Sequence, residues 1–214
     1  APRLSQEIGD RVARLPGVKS QGSISALPLT GSIGWGEINV EGYKPPPGQE
    51  LQVDMRVASA GYFRTMDIPL LKGRFFSGQD NAGSQPVAII DGRFAQRFWP
   101  RENPIGKHLW FNPKKLLTIV CVAVVVKQYA LDDEGKIVVY FSDRQQPSSA
   151  MYLVVRASPD AARLAGPIVR EIHAVDPDAV VYDVRTMQDR VYGSLARPRF
   201  AAAMLGAFAA FALL

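Results

Sequence analysis

Two stretches near opposite ends of the chain carry the same pattern, an apolar helical stripe followed by a turn and a strand-like stretch. The first covers residues 3–27, and the second covers residues 159–184 and ends in AVVYDV at 179–184. Because a helix must bury its apolar face, the two units are expected to pair into one split α/β lobe with helices on one face of a sheet. The two stripes, at the spacing of one helical face, are Leu4, Ile8, Val12 and Leu15, and Leu164, Ile168, Ile172 and Val175.

The residues between these units predict further strands and short helices. LQVDMRVA at 51–58 alternates apolar and polar residues, which predicts a half-buried strand with Asp54 and Arg56 on its solvent face. Asp91 is placed to cap a helix. The apolar runs at 116–126 and 136–141 predict two buried strands, joined as a hairpin by a polar turn.

These patterns together predict an α+β fold with two lobes. Residues 1–30 and 150–196 form a discontinuous outer lobe of the split α/β type, and residues 31–149 form an inserted mixed α/β lobe.

The end of the sequence is uncharged from Phe200 to Leu214 and follows the basic residues Arg197 and Arg199. A bilayer span needs roughly 20 apolar residues, so this tail suits a span that has been cut. We expect 197–214 to be the start of a truncated transmembrane helix and the sequence to be excised at both ends. The alternative is a C-terminal helix buried in the protein's own core.

Composition and motifs argue against several kinds of function. The net charge of +5 is spread along the chain, so no nucleic-acid partner is expected. His108 and His173 have neither a helical i, i+4 partner nor a nearby cysteine, and Asp132-Asp133-Glu134 lacks the alternating ligands of a calcium loop. No phosphate-binding loop or nucleophile elbow is present. We therefore expect no catalytic residues, no metal site and no cofactor.

Three ordered strings point to a family. VASAGYFRTMDIPLLKGRFFSGQD at 57–80, PVAIIDGRFAQRFWPRENPIGKHL at 86–109 and PDAVVYDVRTMQDRVYGSLARPRF at 177–200 resemble segments of extracytoplasmic domains in MacB-like and FtsX-like ABC transporter permeases. The sequence departs from the family pattern at 120–135, where the family usually carries glycines.

The resemblance implies a porter-like outer lobe between two membrane helices, in the inner (plasma) membrane with this domain outside it. It implies an ABC ATPase domain or subunit on the cytoplasmic side, a second permease copy and a periplasmic adaptor as partners. The function it implies is non-catalytic: the domain relays ATP-driven motion of the membrane helices to substrate export or partner proteins.

Loops on a rigid scaffold often carry function, so the exposed-looking arm at 34–48 and the loop near Asp80 are the candidate partner contacts. The candidate residues are Trp35, Tyr43, Lys44 and Asp80. The alternative function is a soluble module that binds a hydrophobic ligand among the aromatic residues of the middle lobe.

Overall fold

The computed structural model describes residues 2–31, 34–111, 115–129, 136–157 and 161–194. Within them, ten strands form one mixed sheet flanked by short helices. The helices are α1 (Pro2–Ala13), α2 (Tyr62–Thr65), α3 (Gly92–Phe98), α4 (Ala165–Val175, after a 3-10 turn at Ala161–Leu164) and α5 (187–194). The strands are β1 (Val18–Ile24), β2 (Trp35–Glu37), β3 (Asn39–Val40), β4 (Gln52–Ala58), β5 (Leu70–Gly73), β6 (Val87–Asp91), β7 (His108–Phe111), β8 (Lys115–Ala123), β9 (Val138–Ser142) and β10 (Tyr152–Ala157).

The strand order explains why one predicted pairing is wrong. The sheet runs β10-β1-β4-β9-β6-β8-β7-β3, with β2 added to β4 and β5 added to β8. The runs that were expected to form a hairpin became β8 and β9, but β6 lies between them, parallel to β8 and antiparallel to β9. Consecutive strands are therefore not neighbours here, because long-range pairing with β6 outweighs the local connection.

The middle of the sheet is covered on both faces. Every residue of β6 and of β9 is buried. Alternate residues of β9 belong to two separate apolar clusters, with Val139 in one and Val138 in the other. Strands covered on both faces read as continuous apolar runs, and the run at 136–141 predicted β9 in this way.

The prediction for β4 is wrong in one respect, since its polar residues do not face solvent. Asp54 and Arg56 are both 0% exposed, because β4 lies between β1 and β9 inside the covered sheet. The Arg56 guanidinium donates to Asp54 Oδ2 from Nη2 at 2.8 Å and from Nε at 3.1 Å. Arg56 Nη1 also donates to the Ala26 carbonyl, and the Tyr129 hydroxyl donates to Asp54 Oδ2 at 2.7 Å. The charges are buried as a hydrogen-bonded pair, which is what burial requires of them.

Local predictions for the first helix and for the cap of α3 are confirmed. α1 carries the apolar stripe, and Val12 within it is fully buried. The Asp91 side chain accepts a hydrogen bond from the Phe94 amide at 2.8 Å. In contrast, the predicted strand at 179–184 forms no ladder within the described chain, and Asp183 has φ 58°. Val180 and Tyr182 in this stretch are 84% and 71% exposed.

The α+β class is confirmed by the large mixed sheet with its helices. α1, β1, β10 and α4 lie together at one end of this sheet, where β1 meets β4 through the pair Ile24 and Ala58. The division into lobes 1–30 with 150–196 and 31–149 stays a prediction. Among the described helices, none has both the length and the apolar character of a bilayer span. The predicted span at 197–214 lies outside the described residues.

Candidate functional site

Trp35 lies on β2, where it remains accessible although its strand is well anchored. The residue is 47% exposed, and the Lys136 ammonium lies 3.4 Å from the centroid of its ring. β2 pairs antiparallel with β4, Trp35 opposite Asp54. A methyl group at Gly36 would approach Met55 Sδ to 1.8 Å, so glycine permits the close packing of β2 against β4. The arrangement presents an aromatic face that already attracts a cation.

Tyr43 and Lys44 follow β3 and have different environments. Tyr43 is half-buried, and its ring lies 5.0 Å from that of Phe98 in an edge-to-face arrangement. Lys44 is exposed. Tyr43 therefore anchors the arm to α3, while Lys44 is free to meet solvent or another molecule.

The base of the arm is held by an interaction that sequence analysis missed. Glu41 Oε2 accepts a hydrogen bond from the His108 amide at 2.8 Å and lies 2.8 Å from His108 Nδ1. The hydrogen bond from the His108 side chain holds the pKa of Glu41 below its ordinary value. The two residues are far apart in sequence, so only the pairing of β3 with β7 brings them together.

Asp80 is placed differently from the prediction, because its carboxylate points into its own loop. Asp80 is 3% exposed. Arg74 donates to it from Nη1 and Nη2 at 2.7 Å each, and the Ser77 amide donates at 2.7 Å. Burial acts to raise the pKa of Asp80, but the hydrogen bonds from Arg74 and Ser77 outweigh it and hold the pKa below its ordinary value. Asp80 shapes the loop, and any partner contact of this loop must come from its exposed neighbours.

The candidate residues do not converge on one site in the part of the chain that the structure describes. Trp35 lies beside β4, and Tyr43 packs on α3. The Asp80 backbone accepts from Ser142 Oγ at 3.2 Å, beside the end of β9. The arrangement offers separate loop surfaces on one scaffold.

The aromatic residues of the middle region pack on one another. Phe63 lies in the centre of one such group, stacked on Phe75 at 4.8 Å and edge-to-face with Tyr140 at 5.1 Å. The structure shows a groove of about 740 Å³ elsewhere, between α1 and Glu171 of α4, and most of its lining side chains are charged or polar. Among the described residues, no group of His, Cys, Asp and Glu is arranged to hold a metal ion. His173 contacts the Ala179 carbonyl at 3.1 Å.

Comparisons with known proteins agree on one family. The profile of the family described as MacB-like periplasmic core domain matches residues 6–172. A stretch of 44 residues is 43% identical to the macrolide export ATP-binding/permease protein MacB of Marinobacter nauticus, covering 21% of this chain and 7% of that protein. The chain thus spans a small part of the curated relative it matches.

Two solved structures share the fold. The periplasmic region of MacB from Actinobacillus actinomycetemcomitans is 14% identical, with a TM-score of 0.57 over 80% of this chain and 73% of that one. The extracellular domain of the ABC-type transporter YknZ from Gram-positive bacteria is 15% identical, with a TM-score of 0.57 over 85% of this chain and 89% of that one. With the family match over residues 6–172, the chain belongs to the MacB-like periplasmic core domain family and is an extracytoplasmic domain of a MacB-like ABC transporter permease.

Proposed function

We propose that this domain relays ATP-driven motion of membrane helices to substrate export or partner proteins outside the membrane, without catalysing a reaction. The observation that carries this proposal is the pair of contacts that α5 makes, one with the segment that precedes it and one with β10 of the sheet. Arg190 on α5 is buried, and its Nη2 donates to Asp183 Oδ2 at 2.7 Å. The Arg190 guanidinium also lies 6.0 Å from the ring centroid of Tyr152 on β10. Movement of α5 would therefore displace the outer edge of the sheet.

The other terminal helix is attached to the same part of the sheet. α1 packs against both β1 and α4, and Arg11 lies 3.8 Å from Glu171 across the helix pair. Because β1 and β10 pair along most of their lengths, motion entering through α1 or through α5 reaches the same two strands. A relay needs a body joined to its moving parts, and the contacts of α1 with β1 and of β1 with β10 support such a role.

The partners follow from the family and are part of the proposal. They are an ABC ATPase domain or subunit in the cytoplasm, a second permease copy and a periplasmic adaptor, with the protein in the inner membrane. The exposed residues Trp35 and Lys44 are the proposed contact points of the arm. Replacing Lys44 by Glu in the full-length protein reverses an exposed charge without disturbing the core. Export that continues at the wild-type rate would remove Lys44 from the contact surface.

The packing of the aromatic residues favours the relay over a module that binds a hydrophobic ligand. The aromatic residues around Phe63 fill a core cluster. The groove that the structure describes is lined by residues such as Asp10 and Arg14, which suit neither a lipid nor a hydrophobic drug.

The relay is tested by hydrogen exchange in the full-length transporter with and without ATP. We expect ATP to change exchange in β1 and β10, and we expect Arg190→Ala to abolish this change while ATP hydrolysis continues. Arg185→Ala is the matched control, because Arg185 also contacts Asp183 but its side chain is 51% exposed. If ATP leaves β1 and β10 unchanged in the wild-type protein, the domain does not relay motion.

A further inference from the structure

The arm and α3 meet at a surface that carries positive charges around two aromatic rings. Tyr43 of the arm packs on Phe98 of α3 with ring centroids 5.0 Å apart, and both residues are half-buried. The Arg97 guanidinium lies 5.3 Å from the centroid of the Phe98 ring. Lys44 is exposed and directly follows Tyr43 in the chain. The packing of the arm on α3 therefore gathers cations from two distant parts of the sequence.

Two further cations extend this surface beyond the end of α3. The Lys107 ammonium lies 5.7 Å from the ring centroid of Trp99, the residue that follows Phe98. Arg101 is exposed in the turn after α3. These cations and the two half-buried rings are together called the basic surface, which comprises Tyr43, Lys44, Arg97, Phe98, Arg101 and Lys107.

Two carboxylates lie beside the basic surface, and each already has a partner. Glu102 Oε2 lies 2.7 Å from the Lys107 ammonium, and Glu41 is held by the side chain of His108. Among the described residues, no carboxylate forms an ion pair with the other three cations of the basic surface. Uncompensated charges of one sign raise the local potential, which favours the approach of a negatively charged molecule.

Stabilisation of α3 accounts for only one of these three cations. The C-terminus of a helix carries a partial negative charge, which favours a cation in the last turn, where Arg97 lies. This effect falls off beyond the last turn, and both Lys44 and Arg101 lie outside the helix. An anionic partner would use all three cations, whereas the helix uses one.

The place of the basic surface in the sheet favours a protein partner over a membrane. The arm contains β3, which lies at the opposite end of the strand order from β10. Seven strand spacings of about 4.8 Å each place β3 roughly 34 Å from β10. α1 and α5, through which the motion of membrane helices would enter, contact the strands at the β10 end. Lipid headgroups are therefore expected at that end, far from the basic surface.

We propose that the basic surface binds an acidic segment of a partner protein. Carboxylates of the partner pair with Lys44, Arg97 and Arg101, and an apolar side chain packs on Tyr43 and Phe98. Arginine suits this role because its guanidinium can donate two parallel hydrogen bonds to one carboxylate. Aromatic residues and arginine are also the residue types that carry most binding energy in protein interfaces. The inference rests on the proposed function, because it names the chemistry of the partner that the arm contacts.

Fluorescence anisotropy with the 214-residue chain tests the proposal. The probe is a short labelled peptide in which glutamates flank a central leucine. We expect saturable binding that weakens as the salt concentration rises, and no binding of the same peptide with lysines in place of the glutamates. The double variant Lys44→Glu/Arg97→Glu should weaken binding of the glutamate peptide at least about 10-fold. If the wild-type chain does not bind the glutamate peptide, the proposal is wrong.

The matched control is Arg14→Glu/Lys19→Glu, which changes the net charge by the same amount at exposed positions near α1 and β1. It should leave the affinity for the glutamate peptide nearly unchanged, because these cations lie far from the basic surface. Equal weakening by the two double variants would overturn the proposal, since binding would then follow net charge alone. Thermal midpoints close to that of the wild type show that both double variants are folded.

Vesicles that contain phosphatidylglycerol are the second probe. Co-sedimentation with these vesicles that Lys44→Glu/Arg97→Glu abolishes, without binding of the glutamate peptide, would overturn the proposal and assign the basic surface to anionic lipid. The relay is measured separately, by the effect of ATP on exchange in β1 and β10 of the full-length transporter. A failure of peptide binding therefore leaves the relay standing, and a failure of the relay leaves the peptide result unchanged.

Discussion

The centre of the sheet buries charged residues, whereas the segment that follows α4 exposes apolar ones. In the centre, the charged side chains of Asp54, Arg56 and Asp91 are all 0% exposed. In the segment at 179–184, which pairs with none of the described strands, the apolar Val180 and Tyr182 are 84% and 71% exposed. Hydropathy alone would have placed both groups the other way round.

The difference shows that position in the sheet decides burial before residue type does. A central strand has neighbours on both sides and layers on both faces, so its polar groups must pair internally. A segment that pairs with none of the described strands, such as 179–184, leaves even apolar groups in water. We therefore expect the centre to open only on global unfolding and the outer edge to open locally at lower free energy.

The largest effect is expected from breaking the buried ion pair at the centre. Arg56→Met leaves the Asp54 carboxylate buried without its main partner, which should lower the free energy of unfolding by about 3–5 kcal/mol. Urea denaturation of the 214-residue chain measures this loss. Adding Asp54→Asn in the same protein removes the stranded charge and should restore at least half of the stability. A loss below about 1 kcal/mol for Arg56→Met would mean that the pair is not truly secluded from water.

A smaller effect is expected where the outer edge meets α2. Gly22→Ala places a methyl group 2.5 Å from Tyr62 Cα, so β1 and α2 must separate. Overpacking of this kind costs about 1–3 kcal/mol. Gly193→Ala is the control, because this glycine of α5 has open space around it, and alanine there should stabilise the helix by up to about 1 kcal/mol. Equal stabilities of Gly22→Ala and Gly193→Ala in urea denaturation would show that the contact between Gly22 and Tyr62 is looser than described.

The pH dependence of stability should differ in sign between two buried carboxylates. Burial raises the pKa of Asp91 to about 6 from 3.8, so the folded protein binds more protons between these values than the unfolded chain does. Stability from Asp91 is therefore present at low pH and lost as the pH rises through about 6. Asn at this position keeps an acceptor for the Phe94 amide but does not titrate. Relative to wild type, Asp91→Asn should gain about 2 kcal/mol between pH 4 and pH 7.

Asp80→Asn is the matched control for this experiment. The pKa of Asp80 is lowered in the folded protein, so its contribution is present at neutral pH and is lost as the pH falls. The Asp80→Asn penalty should accordingly shrink in acid, opposite to the trend for Asp91→Asn. If the stabilities of both variants relative to wild type change in the same direction with pH, the pKa shifts of Asp91 and Asp80 are not opposite in direction.

The smallest expected loss of stability distinguishes α1 from α4. Val12→Ala truncates a fully buried side chain. The lost burial of apolar surface and the cavity left behind should together lower the free energy of unfolding by about 2 kcal/mol. Ile172→Ala removes more atoms from a half-buried position and should cost about 1 kcal/mol. Thermal unfolding of the 214-residue chain measures both. A larger cost at Ile172 than at Val12 would mean that α4 is already well covered.

Features that depend on neighbouring residues were predicted correctly, and features that depend on distant contacts were not. α1 and the Asp91 cap were predicted because both are written in adjacent turns of one helix. The burial of Asp54 with Arg56 was missed because an alternating strand does not reveal whether its second face is covered. Asp80 was taken for an exposed loop residue because the sequence does not show that Arg74 folds back onto the Asp80 carboxylate. The family itself was found from three motifs and confirmed over residues 6–172.

The sequence by itself determined the α+β class, the apolar strands of the core and the family, since hydrophobic periodicity and local capping are properties of neighbouring residues. Only the tertiary structure decided that β6 separates β8 and β9, that Glu41 holds His108, and that residues 179–182 pair with none of the described strands. These outcomes depend on which distant strands meet. Pairing between distant strands is set by the packing of the whole sheet, which no local pattern encodes.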